Sequence, residues 1–164
     1  MEQPLRQLVW DPTAESREVS ALLLATLVPG TGRAAGEVTS EGLLLHASSE
    51  LDLEIVVDIL RATGRRLEVG KPQINYIRGT PWHEPYAYLD ITLPADRIAD
   101  IHRDLQARRA EVRESELLDN GQMSIGAFAP MAELFGYATS LRLLTGGQGS
   151  FVQEFREYRP LPRL

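Results

Sequence analysis

Residues able to perform chemistry are scattered along this sequence and do not show the spacing that catalysis or metal binding requires. His46, His83 and His102 lie on different predicted elements, and their separations are not those of metal ligands. The acids between positions 50 and 54 lie at a predicted helix start, where carboxylates favourably meet the helix dipole. There is no cysteine and no Gly-x-x-x-x-Gly-Lys-Ser/Thr phosphate loop. We therefore predict a non-enzyme without metal or cofactor.

Two segments could instead contact a phosphate backbone. Gly146, Gly147 and Gly149 would allow close approach of the main chain to RNA, although the same glycines also suit a helix cap and turn. Arg108 and Arg109 could contact RNA as well. A helix C-terminus favours cations in any case, so a structural role is equally consistent with this pair.

The bulk composition limits the classes of partner. The net charge is −6, with 8 basic and 11 acidic residues in positions 1–79 and 9 against 12 in positions 80–164. Neither half has the basic excess of a phosphate-binding module, and we expect no DNA partner. No apolar run approaches the roughly 18 residues of a membrane span, and the N-terminus lacks a signal pattern. We expect a cytoplasmic protein with no membrane partner.

The first half of the chain predicts a strand, a helix, two strands, a helix and a strand. A helix-start signal around Pro12 follows the first strand, and Pro29-Gly30 would end the helix. Leucines and isoleucines at helical spacing predict the second helix. The predicted elements are, in order, Leu5–Trp10, 14–27, 36–38, 43–46, 50–63 and a strand within 67–77.

The second half repeats this order. Asn120-Gly121 is a strong signal for a hairpin between its middle strands. The predicted elements are 86–93, 94–109, 111–118, 123–129, 130–144 and 150–158. The order βαββαβ is the ferredoxin-like plan. The sequence therefore predicts an α+β protein of two ferredoxin-like sandwiches in tandem, each with a four-stranded antiparallel sheet and two helices on one face.

Several motifs resemble those of elongation factor G, the ribosomal translocase. Glu-Leu-Asp-Leu-Glu-Ile at 50–55 and Gly-Lys-Pro-Gln-Ile-Asn-Tyr at 70–76 are similar to the end of its domain III. Pro-Met-Ala-Glu-Leu-Phe-Gly-Tyr-Ala-Thr-Ser-Leu-Arg at 130–142 and Thr-Gly-Gly-Gln-Gly-Ser-Phe at 145–151 resemble its domain V. The resemblance implies a domain III-like half at 1–79 and a domain V-like half at 84–160, fused without the GTPase domain and without domain IV.

The first function implied by the resemblance is a non-catalytic role in translation, by binding the factor-binding region of the ribosome. The family's basic residues after the first domain V helix and between the last glycines are replaced here by Glu111 and Gln148, which weakens attraction to RNA. The RNA-binding residues implied by the motif match are Arg108, Arg109, Gly146, Gln148 and Gly149.

The alternative is a self-resistance protein that sequesters a small-molecule translation inhibitor. Some natural-product inhibitors of the family bind between domains III and V, and a fused pair of these domains would keep that cleft. We expect Tyr137 to be only partly buried there and to supply an aromatic anchor. The cleft residues implied by the motif match are Pro12, Glu15, His46, Ser48, Ser49, Pro72 and Tyr137.

Overall fold

The computed structural model of the chain describes residues 3–27 and 32–163. Within it the chain divides into two compact units, Met1–Asn75 and Tyr76–Leu164. The helix end predicted at Pro29-Gly30 lies outside the described residues.

The described residues of the first unit form five short strands and two helices. The first helix begins two residues later than expected, after a turn in which the backbone amide and hydroxyl of Thr13 both donate to Asp11. Ser49 caps the second helix by accepting a hydrogen bond from the amide of Asp52. The elements are β1 (Leu5–Trp10), α1 (Ser16–Leu27), β2 (Ala34–Val38), β3 (Leu43–Ala47), α2 (Glu50–Arg61), β4 (Glu68–Val69) and β5 (Gln73–Ile74).

The first sheet has the order β2-β3-β1-β4, with β5 also pairing with β1, and every pairing is antiparallel. Its helix-facing side chains are fully buried, for example Val9, Leu43 and Leu45. Leu53, Val56 and Leu60 of α2 complete this core. Alternate β1 residues point to the opposite, open face of the sheet.

The last strand of the first sheet is interrupted, where one continuous strand was expected. Val9 pairs with Val69 and Leu5 pairs with Ile74. The two β1 residues are four positions apart, whereas their partners in the last strand are five positions apart. This extra residue is a β-bulge, and Pro72 within it has no amide hydrogen to give to the sheet. Segment 70–72, called the bulge segment below, therefore leaves the strand line between β4 and β5.

Over residues 76–163 the second unit forms four strands and two α-helices. A single turn of 3₁₀ helix leads into each α-helix, at Ala95–Arg97 and Met131–Glu133. The elements are β6 (His83–Pro94), α3 (Ile98–Ala107), β7 (Glu111–Leu117), β8 (Gln122–Pro130), α4 (Tyr137–Leu144) and β9 (Ser150–Pro160).

The second sheet has the order β7-β8-β6-β9, again with antiparallel pairs throughout. Ala87, Leu89, Ile91 and Leu93 of β6 are fully buried on the helix-facing side, as their alternation predicts. In both sheets the first strand of the unit lies between the third and the fourth. Two antiparallel sheets in this order confirm the α+β, tandem ferredoxin-like prediction.

The predicted helix 130–144 is wrong in its first half. The chain makes a 3₁₀ turn at Met131–Glu133, leaves helical geometry, and starts α4 only at Tyr137. The cause is Gly136, which has φ 72°, a left-handed conformation that costs glycine little. Helical spacing in the sequence did not reveal this interruption because the apolar residues on both sides still face the core.

Candidate functional site

The side chain of Arg108 is built into the junction between α3 and α4. Its Nε donates to Asp104 at 2.9 Å, its Nη1 to the carbonyl of Glu133 at 2.7 Å, and its Nη2 to the hydroxyl of Ser140 at 2.8 Å. The guanidinium also lies 5.0 Å from the ring centre of Tyr137. Its hydrogen-bonding capacity is thus largely used inside the unit.

Arg109 connects β6 to the turn before α4. It donates through two nitrogens to both oxygens of Glu84, at 2.9 and 3.1 Å, and through Nε to Glu133 at 3.2 Å. The hydrogen bonds from Arg109 to Glu84 raise the pKa of Arg109 and so keep its charge firmly in place. The Glu84 side chain is only 1% exposed, which makes this a partly buried ion pair. The positive charge of Arg109 is therefore balanced by carboxylates within the unit.

The glycine turn after α4 acts as a helix cap. The amide of Gly147 donates to the carbonyl of Arg142 at 2.8 Å, and the amide of Gly149 donates to the hydroxyl of Thr145 at 2.8 Å. Gly146 and Gly147 have φ 60° and 81°, as such a cap requires. The amide of Gln148 donates to Thr145. Amides 147–149 are thus already satisfied, while the turn at 146–148 remains exposed.

The exposed end of α4 contains two residues that the site prediction omitted. Arg142 is exposed and forms no ion pair with the described residues. The neighbouring Leu143 is 76% exposed, a large apolar side chain in water. Basic and apolar residues in the last helical turn were visible in the sequence, but helical spacing alone did not say which would face outward. The α4-end patch comprises Arg142, Leu143, Gly146, Gly147 and Gln148.

In the first unit, the His46–Ser49 segment lies at one end of the sheet. His46 Nδ1 is 3.3 Å from the side-chain nitrogen of Asn75, and the Ser48 hydroxyl donates to Gln3 at 2.6 Å. Ser49 is occupied as the cap of α2. These residues form a polar cluster that ties β3 to the N-terminal segment and to Asn75.

The Pro12–Glu15 segment lies towards the other end of that sheet. Arg6 pairs with His46, and Trp10 is four residues further along β1, which corresponds to roughly 13 Å of strand. Neighbouring antiparallel strands run in opposite directions, so the helices that follow β1 and β3 start at opposite ends of the same face of the sheet. Pro72 lies between these ends, in the bulge segment. The predicted first-unit cleft residues are therefore spread along the length of the sheet, and their role in a cleft stays a prediction.

Tyr137 is part of the core of the second unit. It is 1% exposed, its ring meets Phe151 edge-to-face at 5.0 Å, and burial raises the pKa of its hydroxyl. Its hydroxyl has no hydrogen-bond partner among the described protein atoms. The expectation of a partly buried ring is wrong because the break at Gly136 turns the start of α4 inward.

The described residues contain neither a group typical of a metal centre nor a helix suited to cross a membrane. Within residues 3–27 and 32–163, no three His, Cys, Asp or Glu side chains are grouped as metal ligands would be. None of the helices in that part of the chain combines the length and apolar character needed to cross a membrane.

The element order and the two antiparallel sheets define a tandem α+β module of two ferredoxin-like units. The sequence pattern of the family described as elongation factor G C-terminus matches residues 82–163, half of the chain. The chain belongs to this family. A crystal structure of a protein from Thermus thermophilus matches with a TM-score of 0.63 at 16% identity, which shows the common fold. The match covers 99% of this chain and 41% of that protein.

Proposed function

We propose that the chain is a non-catalytic, elongation factor G-like protein of the cytoplasm that binds the factor-binding region of the ribosome through its second unit. The observation that carries the proposal is the family match, which spans this unit from the start of β6 to the end of β9. The domain III-like identity of the first unit is part of the same proposal and rests on the motifs at 50–55 and 70–76.

The contact surface that we propose is the α4-end patch. Arg108 and Arg109 are committed to internal partners, whereas Arg142 is free of ion pairs among the described residues and lies beside the exposed turn. A cation next to an exposed leucine and a glycine turn suits a contact with RNA phosphates and a neighbouring apolar surface. In this arrangement Arg108 and Arg109 support the surface and do not touch the RNA.

We predict that Arg142→Glu weakens ribosome binding about tenfold, since it removes one phosphate contact and adds a repelling charge. Binding should also weaken as salt rises, because each phosphate contact releases a counterion. Co-sedimentation with ribosomes at several salt concentrations measures both effects. Arg103→Glu is the matched control, because Arg103 is 79% exposed on α3 outside the patch. Equal binding by the wild type and both variants would contradict the assignment of this patch.

The second candidate is sequestration of a translation inhibitor, and the charge of the chain supports it. A net charge of −6 and the internal pairing of Arg108 and Arg109 both reduce attraction to RNA. A ligand present at about 100 times its Kd should raise the free energy of unfolding by about 2.7 kcal/mol. Thermal melting with inhibitors known to bind between domains III and V of the translocase tests this. A shift without ribosome co-sedimentation would favour sequestration over the first proposal.

A further inference from the structure

A cavity of about 470 Å³ lies on the open face of the first sheet, entirely within the first unit. It is bounded by β1, by the turn between β2 and β3, and by the bulge segment. Its lining includes no residue of the α4-end patch and none of the predicted cleft residues, although Pro72 lies in the bulge segment between the lining residues Lys71 and Gln73. Its lining residues are Arg6, Gln7, Leu8, Trp10, Thr39, Ser40, Glu41, Leu44, Gly70, Lys71 and Gln73.

The bulge segment produces this cavity. Its backbone is held in place by the amide of Gly70, which donates to the carbonyl of Leu8 at 2.8 Å, and by the Gln7 side chain, which donates to the carbonyl of Gly70 at 2.8 Å. Because the segment leaves the strand line, it forms a wall beside β1 and brings Lys71, the only lysine in the chain, into the lining. β-Bulges commonly redirect a side chain in this way.

The charge of the lining is opposite to that of its surroundings. The charged residues of the lining are Arg6, Lys71 and one carboxylate, Glu41, so the lining is net positive. Residues 1–79 together have a net charge of −3. Arg6 donates to the Gln73 amide oxygen at 3.2 Å, and neither cation forms an ion pair with the described residues. Both side chains are exposed. Two cations without carboxylate partners at a concave surface favour an anion.

An aromatic wall and an apolar floor complete the cavity. Leu8 and Leu44 are half-buried neighbours on the open face of β1 and β3. The indole of Trp10 reaches the bulge segment, since a Cβ placed on Gly70 would lie 3.7 Å from it. The ring therefore lies within one residue of Lys71. A planar group could pack on this ring while an attached anion meets Lys71 and Arg6.

We propose that this cavity binds a small anion that has a planar ring, with the ring on Trp10 and a phosphate or carboxylate between Lys71 and Arg6. The volume is within the range of small-molecule sites. A ligand with only the ring or only the anion should bind weakly. The apolar part of the lining contacts only the ring, and the cationic part contacts only the anion.

Tryptophan fluorescence tests the proposal directly. The chain contains two tryptophans, so Trp82→Phe leaves Trp10 as the only reporter. Adenosine 5′-monophosphate is the probe for a ring with a phosphate, and 4-phenylbutyrate is the probe for a ring with a carboxylate. At least one should quench Trp10 saturably, and the stronger of the two identifies the preferred anion. Adenosine and inorganic phosphate, the separate parts of the first probe, should each bind at least about tenfold more weakly.

The variants test the role of the cations. Lys71→Ala should weaken the better probe about tenfold, the loss expected for one charge-assisted contact. Arg61→Ala removes a charge from α2, on the opposite side of the sheet, and should change the affinity less than about twofold. No saturable quenching by either probe, an equal response to inorganic phosphate alone, or an equal loss in both variants would overturn the proposal. Ribosome binding is a separate measurement and does not enter this test.

Discussion

Tyr137→Ala should destabilise the second unit by about 3–5 kcal/mol, the range for removing a large buried aromatic side chain. The ring is almost completely buried, packs against Phe151, and supports the Arg108 guanidinium at 5.0 Å. Its loss leaves a cavity at the junction of α3 and α4. Denaturant unfolding, followed by a probe that reports on the second unit, measures the loss.

Tyr137→Phe removes the hydroxyl and keeps the ring, and so distinguishes their contributions to stability. A buried hydroxyl without a protein partner contributes little, so this variant should be neutral or up to about 1 kcal/mol more stable than the wild type. Leu143→Ala, on the exposed side of the same helix, should change stability by less than about 0.5 kcal/mol. Unchanged stability of Tyr137→Ala would contradict the buried position. For inhibitor binding, Tyr137→Phe is therefore the informative variant, since loss of binding in Tyr137→Ala would also follow from unfolding.

Arg109→Ala should destabilise the second unit by about 2–3 kcal/mol. Removing one partner of a buried ion pair typically costs about 3–5 kcal/mol. A lower value is expected here because the Arg109 side chain is 39% exposed and partly screened by water. The cost arises because the Glu84 carboxylate, which is 1% exposed, would be left without its cation. Chemical denaturation of the wild type and the variant measures this difference.

A double-mutant cycle isolates the pair from other effects. Adding Glu84→Gln to Arg109→Ala removes the orphaned charge, so the double variant should recover part of the lost stability. Arg97→Ala is the matched control, because Arg97 lies 4.0 Å from Asp96 on an exposed turn and should cost less than about 0.5 kcal/mol. If the two single-variant losses simply added in the double variant, the Glu84–Arg109 contact would not be the source of the effect.

Local patterns in the sequence were sufficient for the architecture. Alternation in β6, helical spacing in α2 and the Asn120-Gly121 turn each depend on neighbours in the chain, and the resulting element order predicts the ferredoxin-like plan of both sheets. The interrupted last strand of the first unit also had a visible signal, because Gly70 and Pro72 both disfavour a regular strand. That signal was present but gave no indication that the chain would resume pairing at β5.

The site could be predicted less well because its details depend on distant residues. Arg108 is held by Glu133 and Ser140, 25 and 32 positions away, and no local pattern shows that a basic pair will be used internally. Tyr137 was expected to be partly exposed because the turn at Gly136, which points it inward, is invisible to helical spacing. The separation of Pro12 from His46 follows only from the pairing of β1 with β3.

The bulge segment also affects how the first unit behaves towards other copies of the chain. β4 and β5 form one edge of their sheet, and a sheet edge offers unpaired backbone groups to any strand that meets it. Here the edge strands are two residues long each, and a charged lysine and a proline without an amide hydrogen lie between them. An incoming strand could not form a continuous ladder along such an edge. The deviation that forms the cavity on this sheet therefore also makes this edge a poor template for self-association and fibril growth.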